Sequence, residues 1–176
     1  MKLTPELFLV AFVVSGVTLK TSDFLGEREN IFLAVLSAVA SSLVFGVLMS
    51  ESVFSSSLIL GLFIGVTISR KVDRPNLVLG VILTFAFAFL FEIKAPTIWL
   101  MIVVALFAFI DEWGHEKLSQ KKGLTVLFFR YRLALKLVMS LLTLMSQIQV
   151  LHLMGFLCFD LSYDLTNLVL QKGVKD

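Results

Sequence analysis

Charged residues and cysteine are scarce in this sequence, and each shortage excludes something. The 176 residues include one cysteine, Cys158, so no disulfide can form within the chain. Only 16% of the residues are Asp, Glu, Lys or Arg, against roughly 25% in a soluble globular domain. The formal net charge of +2 says little about partners, and we expect no nucleic acid among them. The chain is therefore mostly apolar, and charged residues within its apolar stretches need an explanation.

Several catalytic motifs are also absent, and their absence removes well-defined reactions. The sequence has no H-E-x-x-H of zinc proteases, no P-loop and no G-x-S-x-G. It also lacks the D-G-x-x-A-R signature of CDP-alcohol phosphotransferases and the G-x-G-D sequence of intramembrane aspartyl proteases. Asp160 and Asp164 have the D-x-x-x-D spacing found in membrane prenyltransferases, but the longer Asn/Asp-rich motif of those enzymes is missing. The motifs therefore identify no family.

Apolar residues dominate the composition, at 58% of the chain with a mean hydropathy of +0.96. A hydrocarbon core about 30 Å thick needs roughly 20 apolar residues in a helix, whose backbone polar groups are satisfied within the segment. The long uncharged runs lack the alternation of a strand, so helices are favoured over a barrel. We therefore expect an all-α, polytopic helical bundle in the cell membrane, with one domain over residues 1–176 and membrane lipid as a partner.

Seven apolar segments are predicted to cross the membrane. They are Thr4–Leu19, Ile31–Ser50, Ser52–Ile68, Asn76–Phe91, Thr97–Ile110, Leu124–Gln147 and Val150–Gln171. The links after the first, third and fifth segments carry most of the Lys and Arg, whereas the alternate links carry only Lys94. Because short basic loops stay in the cytosol, the amino terminus is predicted outside and the carboxyl terminus inside. Gly61 and Gly65, four residues apart, predict close helix packing within one chain or between two.

Two alternatives reduce the number of spans to six. The first segment could be a signal peptide, although it has no convincing small-x-small cleavage site and Glu6 interrupts a basic leader. Alternatively, Leu124–Lys136 is an amphipathic interfacial helix followed by one span, which would put Asp160 and Asp164 outside. Seven spans are favoured because Lys172 and Lys175 then lie inside.

The last two segments carry charges at matching depths. Folding at the polar interruption between them places Lys136 at the level of Asp160 and Arg132 at the level of Asp164. Within each segment the two charges are four residues apart, so they share one helix face. Two interpretations stay open: an ion ladder that fixes the register of the two helices, or a functional site whose basic residues bind an anionic headgroup.

A second polar cluster follows the fifth segment. If the helix continues, Asp111 and His115 lie one turn apart, and Glu112 with His115 forms an E-x-x-H pair. That pair recurs in di-iron bundles, but the second E-x-x-H and the partner carboxylates that those bundles need are missing. A transition-metal site is one hypothesis for this cluster, and a hydrated helix end is the other.

The acidic residues gather near the predicted cytosolic face and are interleaved with basic ones. A Mg²⁺-dependent enzyme acting on a phosphorylated isoprenoid or glycerolipid requires such groups, as oxygen ligands for the cation and as cations for phosphate. The leading hypothesis is therefore a lipid-phosphate transferase or hydrolase with Mg²⁺, a transition metal being less favoured. The alternatives are a small-solute or ion transporter, or its membrane subunit, and a non-catalytic scaffold that docks a cytosolic subunit. A second copy of the chain as a partner also stays open.

The candidate site residues fall into three groups by chemistry. The catalytic candidates are Asp160, Asp164, Asp111 and Glu112. The candidates for binding phosphate are Arg70, Arg74, Arg130, Arg132 and Lys136. The candidate metal ligands are Asp23, Asp73, Asp111, Glu112, His115 and Asp164.

Overall fold

A computed structural model of the protein describes residues 3–118 and 124–172. Of these residues, 84% are helical and none forms a strand, which confirms the all-α prediction. The helices are α1 (Pro5–Glu27), α2 (Ile31–Glu51), α3 (Val53–Ile68), α4 (Pro75–Leu90), α5 (Ile98–Leu118), α6 (Leu124–Arg130), α7 (Leu133–Leu144) and α8 (Val150–Lys172).

Among the described residues, four helices are long and apolar enough to cross a membrane: α1, α2, α5 and α8. Helices α3 and α4 are also apolar but have 16 residues each. At a rise of about 1.5 Å per residue each is about 24 Å long, shorter than a hydrocarbon core of about 30 Å. Helices α1 and α5 continue beyond their predicted ends, so Asp23 and Asp111 lie on helices rather than in links.

Local sequence explains where several helices begin and end. The Thr4 hydroxyl accepts a hydrogen bond from the Leu7 amide at 3.4 Å, and Pro5 and Pro75 occupy first-turn positions where a missing N–H costs nothing. Helices α1, α3, α4 and α7 are followed by a residue with positive φ, respectively Glu29, Arg70, Glu92 and Ser146. In each case the amides of that residue and the next bond back to the last turn, which is the Schellman arrangement.

The chain divides into two compact units, and the first contains α1, α2, α4 and α8 from Met154 onward. Close backbone approaches hold this unit together. A Cβ placed on Gly46 of α2 would lie 2.6 Å from the Cβ of Phe87 on α4. A Cβ placed on Gly155 of α8 would lie 2.8 Å from the ring of Phe12 on α1. The prediction of a single domain stays a prediction.

A buried polar cluster joins three helices of the first unit. The Ser22 hydroxyl on α1 donates to the Ala34 carbonyl on α2 at 2.9 Å. The Asn76 carboxamide in the first turn of α4 donates to the Ser22 carbonyl and hydroxyl at 3.0 and 2.9 Å. Gly26, one turn after Ser22, leaves room for the Asn76 side chain. These bonds fix the register of α1, α2 and α4, because shifting any helix would leave buried polar atoms unsatisfied.

The second unit contains α3, α5, α6, α7 and the start of α8. Helices α3 and α5 pack side by side in the same direction, because Gly61 approaches Val104 while Gly65 approaches Ala108. A Cβ on either glycine would lie 2.7 Å from a carbonyl oxygen of α5. The small-residue pair therefore packs within the chain. At the start of α5, the Thr97 amide donates to the Ser57 hydroxyl of α3 at 2.7 Å.

The sixth predicted segment is wrong as a single helix. Helix α6 ends at Arg130, α7 begins at Leu133, and Arg132 between them has a φ of 48°. The alternative interfacial helix reaching Lys136 is also not observed. A left-handed residue interrupts the helical hydrogen-bond ladder, so the last carbonyls of α6 and the first amides of α7 need partners from elsewhere.

Candidate functional site

The helix break between α6 and α7 is where charged side chains of the second unit converge. A residue that precedes a helix usually has extended backbone, and its own side chain bonds the amides of the second and third helical residues. Arg132 instead has left-handed backbone and makes no such bond. The first turn of α7 therefore depends on an acceptor from another helix.

Asp111 of α5 supplies that acceptor. One of its carboxylate oxygens accepts from the Ala134 amide at 3.1 Å and the other from the Leu135 amide at 2.8 Å. The Asp111 side chain is buried, with 2% of its surface exposed. The carboxylate also lies at the positive end of the α7 dipole. Asp111 thus caps a helix that begins more than twenty residues later in the chain.

The two basic residues of the break are bound as well. The Arg132 guanidinium contacts the Glu112 carboxylate at 2.6 Å, and the Glu112 side chain is only 10% exposed. The Lys136 ammonium donates to the Tyr131 carbonyl at 2.6 Å, next to the end of α6. We call Asp111, Glu112, Arg132 and Lys136 the break cluster. Its formal charges are two negative and two positive, so they balance.

The approach of α6 to α5 depends on a glycine. A Cβ placed on Gly114 of α5 would collide with the ring of Phe129 on α6. Gly114 lies one turn after Asp111 and Glu112, so its lack of a side chain lets α6 and the break lie against this part of α5. Gly114 therefore does not terminate α5, which continues to Leu118.

Other predicted site residues lie in the first unit. The Lys20 ammonium contacts the Asp23 carboxylate at 2.7 Å and lies 5.1 Å from the centroid of the Tyr163 ring. The Arg74 guanidinium lies 3.7 Å from Glu27 and 4.0 Å from Asp73. On α8, Asp160 is buried and Asp164 is half-buried. The first unit therefore holds ion pairs at the ends of α1 and α4.

The remaining predicted residues lie in the second unit. Arg70 is exposed after the end of α3, and His115 is half-buried on α5. Arg130 ends α6, and its side chain lies outside the described part of the structure. Neighbouring Lys71 lies 3.8 Å from Glu116.

These contacts test neither the expected ion pairs nor the expected metal. The pairs of Lys136 with Asp160 and of Arg132 with Asp164 join residues of different units, and they stay predictions. Across residues 3–118 and 124–172, no three His, Cys, Asp or Glu side chains converge as a metal site. The Mg²⁺ and transition-metal hypotheses also stay predictions, with Asp111 and Glu112 bound by groups of the protein itself.

Sequence reasoning missed the most specific interactions of the site. The partners of Asp111 are backbone amides, and no side-chain pattern identifies an amide that lacks a helical acceptor. One signal was available: Tyr131 between two arginines interrupts an apolar run. The Ser22 and Asn76 cluster was also missed, because single polar residues at helix ends are common.

The fold and the break cluster define an all-helical protein with helices suited to crossing a membrane and a charged interruption in one apolar segment. Comparison with protein families, curated proteins and solved structures finds no match.

Proposed function

We propose that the chain crosses the cell membrane seven times, with its amino terminus outside and its carboxyl terminus in the cytosol. Helices α1 to α5 and α8 provide six spans, and α6 with α7 provides the seventh. Basic residues favour this orientation. On the proposed cytosolic side, Arg28 follows α1, Arg70 follows α3 and Lys117 lies in the last turn of α5, whereas on the outside Lys94 follows α4. Helices α3 and α4 would be accommodated by local thinning of the bilayer.

The proposed function is transport of a small solute or ion, by this chain alone or as the membrane subunit of a transporter. The observation that supports the proposal is the helix break held by four charged groups. Non-helical backbone at membrane depth is tolerated where it is buried in protein or lines a water-filled cavity, and discontinuous helices form the solute sites of many transporters.

In the proposed topology, the break would lie at a suitable depth for such a site. Arg132 is eight residues after Leu124 at the proposed cytosolic end of the segment, and α6 covers the first seven of the residues from Leu124, about 10 Å of helix. Charged residues within spans normally pair or mark solute pathways. Displacing Glu112 from Arg132 would make a guanidinium available, and displacing Asp111 would make two amides available. The break cluster therefore offers a site that can exchange an internal partner for a transported one.

Reconstitution into liposomes tests the proposal. Electrical recording on a solid-supported membrane would follow charge movement during pulses of protons, Na⁺, chloride and phosphate. We expect a saturable current with at least one of these ions, lost in Asp111→Asn and Glu112→Gln. Asp73→Asn, an exposed acidic residue outside the break cluster, is the matched control and should keep the current. A current equal in all three variants would contradict a role for the break.

A Mg²⁺-dependent enzyme for a phosphate-bearing lipid is the second candidate. The exposed basic residues Arg70 and Lys71, with Glu116 beside them, favour it because they are available to a headgroup at the bilayer surface. Incubation with isoprenoid and glycerolipid phosphates, with and without Mg²⁺, tests this candidate. Turnover lost in Arg70→Gln, with no ion current, would replace the transport proposal by the enzyme.

A further inference from the structure

An apolar groove of about 300 Å³ lies between α3 and α5 in the second unit. Its walls include Ile64 and Ile68 of α3 and Ile102, Leu106 and Phe109 of α5. Gly61 and Gly65 let the backbones of α3 and α5 approach closely, and the larger side chains next to this contact form the two sides of the groove. Ile68 and Ile102 are 61% and 58% exposed, so the groove is open to the surroundings of the helices.

The groove ends at a basic surface. Ile68 is the last residue of α3, and the Schellman turn after it carries Arg70 and Lys71, both exposed. The contact of Lys71 with Glu116 is 3.8 Å long and joins two exposed side chains, so it holds the ammonium weakly. Trp113 lies one turn beyond Phe109 on α5 and is half exposed. Tryptophan is enriched where hydrocarbon meets headgroups.

We infer that the groove binds one acyl chain of an anionic phospholipid whose phosphate is held by Arg70 and Lys71. The lining matches an acyl chain in chemistry, and from Met101 to Phe109 it extends about 12 Å along α5. The charge at its end selects the headgroup, since cations near the bilayer surface attract anionic lipid. The occupant is a lipid rather than a second copy of the chain because the basic end of the groove complements an anion. The inference does not depend on transport.

Quenching of tryptophan fluorescence by brominated lipid tests the inference at this position. The chain has two tryptophans, so Trp99→Phe leaves Trp113 as the reporter. In vesicles of phosphatidylcholine we expect a few per cent of brominated phosphatidylglycerol to quench Trp113 more than the same fraction of brominated phosphatidylcholine. Arg70→Gln with Lys71→Gln should reduce the apparent affinity for phosphatidylglycerol about fivefold for each charge removed.

Two further variants separate a built site from general attraction to the bilayer. Arg28→Gln removes an exposed charge at the end of α1 in the first unit and should change the quenching less than twofold. Ala105→Leu partly fills the groove and should reduce quenching by both lipids, provided that the variant keeps its thermal unfolding temperature. Equal quenching by the two lipids, or an equal loss in Arg28→Gln, would overturn the inference. If chemical cross-linking gives a dimer in which neither lipid quenches Trp113, the groove binds a second copy of the chain instead.

Discussion

Replacing Asp111 with alanine should open the start of α7, and the structure gives the expected size of the effect. The substitution leaves the amides of Ala134 and Leu135 buried without their acceptor. Each unsatisfied buried donor costs about 1–3 kcal/mol. Relaxation of the first turn removes part of this cost, so we expect a loss of about 2–4 kcal/mol in local stability. Asp111→Asn keeps one acceptor oxygen and should lose about 1–2 kcal/mol.

Hydrogen exchange of individual amides in detergent measures this loss where it occurs. A loss of 2–4 kcal/mol corresponds to roughly 30-fold to 900-fold faster exchange at Ala134 and Leu135 when exchange follows local opening. Asp73→Ala is the control: its carboxylate is 69% exposed, and the change should leave exchange at the two amides within about threefold. Unchanged protection of both amides in Asp111→Ala would show that the carboxylate does not hold α7.

Three further predictions concern other contacts. A double-mutant cycle of Glu112→Gln and Arg132→Gln should give a coupling energy of about 1–3 kcal/mol in thermal unfolding, because the contact between the two side chains is short and mostly buried. Additive effects of the two substitutions would contradict this. Gly46→Ala should destabilise the protein by about 1–3 kcal/mol because the new Cβ would meet the backbone of α4. Gly80→Ala is the control: its Cβ would lie 3.6 Å from the nearest atom, so the change should be neutral or stabilise by up to about 1 kcal/mol. Equal effects of the two substitutions would refute the close approach at Gly46. Glu29→Gly should stabilise by about 1 kcal/mol in the same assay because Glu29 has a φ of 60°, and a destabilisation would argue against the left-handed turn.

The apolar segments were predictable because each one is a long run of apolar residues in the sequence. Predicted Ile31–Ser50 differs from α2 (Ile31–Glu51) by one residue at one end, and predicted Ser52–Ile68 differs from α3 (Val53–Ile68) likewise. Helices α1 and α5 extend beyond the first and fifth predicted spans, whose limits followed the first polar residues. Helices α1 and α5 instead continue through Asp23 and Asp111, whose carboxylates are held by Lys20 and by the amides of α7.

The break could not be located from the sequence because it depends on contacts between distant segments. Arg130, Tyr131 and Arg132 interrupt the apolar run, but three such residues can also lie within one continuous helix, and neither glycine nor proline marks a break. A left-handed arginine costs about 1–2 kcal/mol, which local preferences alone would not select. The hydrogen bonds that Asp111 accepts, the one that Lys136 donates and the ion pair of Glu112 compensate for that cost only after α5 lies beside the break.

The break cluster changes how the charges of the last apolar segments are interpreted. Opposed charges in two helices predict a ladder between them, and that ladder stays a prediction; within the second unit, each charged group of the break also holds the interruption. Arg132 and Lys136 neutralise a carboxylate and a helix end, while Asp111 replaces the acceptor that a continuous helix would have provided. A solute that binds here must therefore displace one of these partners and satisfy the group it leaves. A solute that displaces Asp111 should therefore alter protection at Ala134 and Leu135, whereas a solute that displaces only Glu112, or a lipid in the α3–α5 groove, should leave both amides unchanged.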